Sequence, residues 1–375
     1  MFVFAITQVS HLLLDDLSWR GAGRAAMVLL VVWWAWNYTT WVTNELDPDA
    51  IAVRLLLIGL MLATLLMAVA IPQAFGDRAL LFACSYVVIQ VGRNAFLTLA
   101  ARPGTIERER ATRVLVWLAG AGVLWIAGAT AGGSARTLIW LCALAIDYCG
   151  PLVLYWVPGG RRLPASTWDV ETSHFAERFQ LFMIIALGES IVITGATTAR
   201  LDLNATRLTA FALAFLITAA MWWLYFSYVA VIAQRRLELA EDRTRLARDA
   251  YTYLHVVLVA GVILAAVGDE LVIAHPTEEL AANEIAAVVA GPAIYLLGLA
   301  LFRLRMAGSV AWKRVAGAAA CGVVGVLGAV VPAIAVASLV VCALAGVIAA
   351  ERIAAVRREA RGEPSPLERL ETAGS

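Results

Sequence analysis

The sequence predicts an all-α protein, a polytopic integral membrane helix bundle, and three observations carry that expectation. Hydrophobic residues make up 62% of the 375-residue chain and charged residues 15%, where a soluble domain carries about 25% charged. The apolar residues fall in runs separated by short polar breaks, each run close to the roughly 20 residues a helix needs to cross a bilayer core. Mean hydropathy is +0.80. These numbers exclude a soluble enzyme, a disordered scaffold and a nucleic-acid binder. A net charge of +1 supplies no field toward an acidic partner. The partner that the composition demands is the lipid bilayer.

Spans are expected at 22–43, 51–71, 78–101, 112–131, 136–157, 176–198, 206–233, 250–275, 283–303, 310–331 and 333–350. The opening run Met1–Leu14 is apolar but short. It lacks a basic n-region and a small-residue cleavage site, so it reads as the second half of a truncated first helix rather than a signal peptide. That makes about 12 transmembrane helices. Arginine placement justifies the spans in order, because cytoplasmic loops carry the basic excess. With the N-terminus inside, the cytoplasmic side receives Arg54, then Arg102 to Arg113, then Arg161, Arg162 and Arg178, then Arg235 to Arg248, then Arg303 to Arg314, and the tail from Arg352. That side sums to 22 basic residues, against 6 outside, with Arg93 left within a span. One miscounted helix would spoil the contrast. Both termini are therefore expected in the cytoplasm, in a bacterial cytoplasmic (inner) membrane crossed many times.

Domain organisation follows from the count. A first transmembrane half is expected over 1–157, a cytoplasmic connector over 158–175, a second half over 176–351 and a charged tail over 352–375. Short matches suggest that the halves are parallel repeats: Val31–Trp36 resembles Ala220–Tyr225, Thr112–Leu115 resembles Lys313–Ala316, and Phe4–Gln8 lies on Ile185–Glu189. Six helices per half would relate them by an axis along the membrane normal. The stretch 234–249, with alternating charges, reads as a short cytoplasmic helix, and the tail as solvated.

An ionisable residue in hydrocarbon is expensive, so each is a functional candidate. Arg93, Asp147 and Glu189 lie well inside spans, about 12, 15 and 18 Å from their cytoplasmic ends at 1.5 Å per residue. They suit a site for a cation, a proton or a small polar solute. Alternatively, Arg93 and one carboxylate form a packing ion pair; a second carboxylate then remains, and most of the functional weight falls on Glu189. Gln90, Arg93 and Asn94 share one helix face, and with Gln8, Asn37, Tyr38, Thr39 and Thr40 they make interhelical hydrogen bonds or a polar pathway wall. Asp269 and Glu270, near the outer end of their span, read as a solvated helix end, or else as a mouth for entering cations. His255 reads as a hydrogen-bonded core residue. His174 and Glu177 stand where they would satisfy a helix N-terminus.

Cofactor and enzyme signals are missing. His11 and His255 have no spacing partner for haem, and one HxxE does not make a di-metal site. No cofactor and no metal are expected. The cysteines Cys84, Cys142, Cys149, Cys321 and Cys342 lie inside apolar segments without a CxxC and read as buried small hydrophobes. Trp33, Trp34, Trp36 and Trp41 cluster in the second span, where interfacial anchoring accounts for those near its end. Gly317, Cys321 and Gly325 follow a small-residue spacing that lets a helix pack closely. With no Walker A loop, GxGxxG, HExxH or GxSxG, no enzyme is expected.

At the seventh span a longer motif appears. His174-Phe-Ala-Glu-Arg-Phe-Gln-Leu-Phe-Met-Ile-Ile-Ala-Leu-Gly-Glu-Ser190 resembles the signature of the bacterial low temperature requirement A protein family, with His174, Glu177, Arg178, Gly188 and Glu189 as its motif residues. The opening Phe2–Leu12 resembles the tail of that family's first-helix motif, although the acidic and aromatic stretch that normally precedes it is absent. The resemblance covers essentially the whole chain. It implies an integral membrane protein from a family named for growth in the cold. The expected function is a secondary transporter or ion-translocating protein acting on a small solute or ion, with Glu189 as the proton or cation site, Asp147 a second carboxylate and Arg93 their charge partner. The other expectation is a non-transporting membrane factor that supports envelope function at low temperature.

Overall fold

The computed structural model describes residues 1–43, 46–47, 49–164, 167–168 and 172–374, so parts of the expected connector, 165–166 and 169–171, lie outside the described residues. Among the described residues the chain is helical, with one isolated β-bridge between Glu279 and Pro332. Eleven helices among them are long and apolar enough to cross a membrane. They are α2 (Trp19–Thr43), α3 (Ile51–Gln73), α4 (Ala79–Ala100), α5 (Ile106–Thr130), α6 (Gly133–Val153), α7 (His174–Ala199), α8 (Ala205–Glu238), α9 (Arg243–Ala274), α10 (Ala282–Ala307), α11 (Trp312–Val330) and α12 (Ala333–Ala360). The shorter apolar α1 (Phe2–Leu14) precedes them and α13 (Pro366–Gly374) follows. Hydrocarbon offers backbone groups no water, so each segment closes its own hydrogen bonds as a helix.

Side chains set several starts. Thr105 accepts from the Arg108 amide at 3.4 Å, Asn204 from Arg207 at 2.9 Å and Asp242 from Arg245 at 2.9 Å, each satisfying a donor that the first turn leaves free. The chain forms two compact units. The first takes Met1–Leu12 and residues 23–171; the second takes Leu13–Ala22 and the chain from residue 172 onward.

Several expectations are corrected. The span of α6 ends in a 3-10 turn, Gly150–Val153, with Pro151 in it, and Leu154 and Tyr155 then adopt left-handed φ of 52° and 50°. Asp147 is therefore about 9 Å from that end. Residues 234–249 are not a separate helix: α8 continues through Glu238 and α9 begins at Arg243. The charged tail begins as a helix, since α12 runs to Ala360, and Glu351 just before the tail pairs with the buried Arg314 at 2.8 Å. Only Cys321 among the cysteines is buried; Cys142, Cys149 and Cys342 are exposed on the bundle surface, where lipid is as apolar as a core. Of the Trp cluster on α2, Trp33 and Trp34 are core residues, Trp34 stacking on Tyr148 at 3.9 Å.

In the second unit α9 is the central helix, packed by α7, α8, α10 and α12. Its contact with α10 is backbone against backbone. A methyl placed at Gly261 would stand 2.8 Å from the Tyr295 backbone, one at Gly268 2.6 Å from Val288 Cα, and one at Gly291 would strike the Ala265 backbone. Small residues let helices approach this closely where no hydrophobic effect drives them together. Gly291→Ala is expected to destabilise the protein by about 1–3 kcal/mol through overpacking. Gly346→Ala on α12, where a methyl meets nothing within 4 Å, should be neutral or stabilising by up to about 1 kcal/mol. Thermal unfolding in detergent compares them.

At α13 the Ser365 amide donates to Glu368 Oε2 at 2.6 Å, and the Glu368 amide donates to Ser365 Oγ at 3.2 Å, a reciprocal cap. The Ser365 amide holds the Glu368 carboxyl below its ordinary pKa. A carboxyl lowered on folding stabilises above its unfolded pKa and loses that contribution as pH falls through the folded value. A spin label at Glu371 should therefore gain mobility as pH is lowered through the carboxylate range, and unchanged spectra would oppose the cap.

Candidate functional site

Each unit buries its own polar group, and the two are built differently. In the first unit, Arg93 is 0% exposed and Asp147 4% exposed, and they do not form a direct ion pair. They are joined through two intermediates. One Arg93 amino group donates to Gln90 Oε1. Gln90 Nε2 donates to Tyr86 Oη at 3.0 Å, and Tyr86 Oη donates to Asp147 Oδ2 at 2.9 Å. Trp125 Nε1 supplies a second donor to the same oxygen at 3.0 Å.

Every hydrogen in this relay points from the cation toward the carboxylate. The direction settles the Gln90 amide, since the flipped orientation would set its NH2 against a guanidinium that only donates. Arg93 also donates to Thr39 Oγ1 at 2.9 Å and to the Ala35 carbonyl at 3.3 Å, and it lies 5.3 Å from the centre of the Tyr38 ring. Asn94 turns back on its own helix, donating to the Gln90 carbonyl at 2.9 Å. Gln8 is half-buried on α1.

Local backbone geometry helps place these groups. The stretch Val88–Gly92 is a π-helical turn, a rare widening that often accompanies functional positions. It lies between Tyr86 and Arg93. Trp140 Nε1 donates to the Trp125 carbonyl at 2.9 Å, which fixes the α5–α6 side of the cluster.

The second unit contains Glu189, half-buried on α7. Beside it runs a buried hydroxyl stripe that periodicity could have revealed: Ser190, Thr194 and Thr198, four residues apart. Ser190 Oγ lies 3.2 Å from Thr218 Oγ1 on α8, and Thr194 and Thr198 bond the carbonyls of Ser190 and Thr194. Thr197 Oγ1 donates to Glu270 Oε1 at 3.1 Å. Asp269 is not a solvated helix end, as its sequence position suggested. It is 4% exposed, and its Oδ2 has no hydrogen-bond partner among the described residues. Its helix is surrounded by other helices, so a residue near the end of the span still faces protein.

Elsewhere in this unit His255 is fully buried and hydrogen-bonded to Tyr225 Oη at 3.0 Å, enclosed by Phe179, Tyr251 and Phe302. Two further π-helical turns, Tyr225–Val229 and Ala247–Leu254, carry the two tyrosines of this cluster. His174 and Glu177 face one another on the surface at 3.8 Å. Arg178 and Gly188 are half-buried on the same helix. No cluster of His, Cys, Asp and Glu suited to a metal occurs among the described residues.

Spanning helices with ionisable side chains buried between them define a polytopic integral membrane protein. The chain belongs to the family described as bacterial low temperature requirement A protein (LtrA), whose sequence profile matches residues 1–350. It is similar to the uncharacterized protein RA0937 of Rhizobium meliloti (strain 1021), 38% identical over 303 residues, which is 80% of this chain and 73% of that one. No solved structure matches it.

The relay makes a stability prediction. Tyr86→Phe removes the donor to Asp147 and the acceptor for Gln90, so a loss of about 1–3 kcal/mol is expected. Combined with Asp147→Asn in a double-mutant cycle, it should show a coupling of at least about 0.5 kcal/mol. Additive effects would mean that the two groups do not act together.

Proposed function

We propose that this protein is an ion-translocating membrane protein or secondary transporter whose proton or cation carrier is a carboxyl group buried in the second unit. The observation that carries this reading is Asp269, enclosed on the central helix with Oδ2 unsatisfied. An ionised carboxylate in hydrocarbon without donors is very costly, so the group carries a proton, a cation or water. Glu270, next in the chain and bonded by Thr197 of α7 at 3.1 Å, and Glu189, elsewhere on α7, are further carboxylates of the kind that hard cations and protons use. The arginine asymmetry favours cytoplasmic termini and a bacterial cytoplasmic membrane.

A second reading has its own support. The Arg93–Asp147 relay runs unbroken from cation to carboxylate, leaving only Nε of the guanidinium without an acceptor among the described residues, as in a group that fixes helix packing. That suits a non-transporting factor supporting the envelope in the cold.

Purified protein in sealed vesicles, with dyes reporting H+, Na+ and K+, separates the two. Gradient-driven flux of one of these ions is expected. Asp269→Asn, and independently Glu189→Gln, should reduce it to the level of protein-free vesicles while the variants stay folded. Asp147→Asn should lower thermal stability instead. Absence of flux for all three ions, or full flux in Asp269→Asn, would overturn the transport reading.

A further inference from the structure

At one end of the second unit a cavity of about 390 Å3 opens between α8, the start of α11 and the charged end of α12. Four cations line it: Arg303 from α10, Lys313 from α11, and Arg352 and Arg358 from α12. The carboxylate in its wall, Glu351, is already held by Arg314 through contacts of 2.8 and 3.2 Å. Arg303 Nε donates to Ser309 Oγ at 3.3 Å, and none of the four cations pairs with a carboxylate among the described residues.

The rest of the wall is apolar. Val310, Ile348 and Ala355 line it, and Trp223 and Trp312 stand at its edge, 52% and 72% exposed. Tryptophan so placed marks the headgroup level of a bilayer. A concave site that combines unneutralised cations with apolar wall and interfacial tryptophan matches an anion attached to hydrocarbon chains. Guanidinium and ammonium groups bind phosphate through charge-assisted hydrogen bonds, and basic pockets between membrane helices recognise acidic headgroups in this way.

We propose that this cavity binds the phosphate group of an acidic phospholipid, with Arg303, Lys313, Arg352 and Arg358 as its ligands and the acyl chains directed along the apolar wall beside Trp223 and Trp312. The site is independent of the buried carboxyl and of any transport role. It ties lipid composition to the packing of α8, α11 and α12.

The test uses the full chain, delipidated in detergent and titrated with phosphatidylglycerol, phosphatidylcholine or sodium phosphate. Thermal midpoint and retained lipid by native mass spectrometry are both read. Phosphatidylglycerol is expected to bind saturably and raise the midpoint, and the other two are not. Lys313→Ala/Arg352→Ala/Arg358→Ala should weaken phosphatidylglycerol binding on the order of a hundredfold, since each basic group contributes about fivefold. The charge-matched Arg102→Ala/Arg162→Ala/Arg200→Ala should bind as the parent does. Arg352→Glu, at an exposed position, gives the same comparison if the triple variant does not fold. Equal response to phosphatidylcholine, or binding that survives both variants, would overturn the site. A response to sodium phosphate equal to that of phosphatidylglycerol would overturn the lipid assignment in favour of a soluble anion.

Discussion

Hydrocarbon cannot hydrogen-bond, and that constraint organises the interior of this protein. In the first unit it explains why residues from α2, α4, α5 and α6 converge. A guanidinium enclosed without a carboxylate beside it must place its donors on neutral oxygens, and Thr39, the Ala35 carbonyl and Gln90 provide them. Gln90 and Tyr86 then pass the polarity on to Asp147, each orienting the next. Such chains strengthen by mutual polarisation, and all four helices are held by one electrostatic line.

The second unit departs from the rule most sharply at one carboxylate. Several other buried polar groups there meet a partner, His255 with Tyr225, Ser190 with Thr218 and Arg314 with Glu351, while the Tyr251 hydroxyl and Arg314 Nη1 have none among the described residues. Asp269 alone among the carboxylates described there combines deep burial with an unsatisfied oxygen. The seam of glycines between α9 and α10 keeps that helix at the centre, so the departure sits where lipid cannot reach it. A continuous relay ties helices together, whereas Asp269 ties its helix to nothing through Oδ2 among the described residues.

Much of the architecture was legible as apolar runs, because span length is imposed by bilayer thickness and not by tertiary detail. Boundaries were less so: α8, α9 and α12 extend beyond the apolar runs through charged residues, since a helix is free to continue into the headgroup region. Arg93, Gln90 and Asp147 stood out as polar letters in apolar text. Tyr86 and Trp125 did not, because an aromatic residue in a span looks like core even when its one polar atom completes a network. Asp269 is illegible for another reason. Position along a helix says how near the bilayer edge a residue is, while burial depends on which helices surround it. The hydroxyls of α7 do carry a legible four-residue period, Ser190, Thr194 and Thr198.

The π-helical turn at Val88–Gly92 makes the relay sensitive to chain length. A turn of this kind holds one residue more than a regular helix would, and removing a residue rotates everything beyond it by about 100°. Deletion within that stretch would swing Arg93 and Asn94 away from the side that carries Tyr86, though every letter of the arginine's codon were kept. The extra residue and the arginine thus work as one unit: without the first, the second loses its place opposite Gln90 and Thr39.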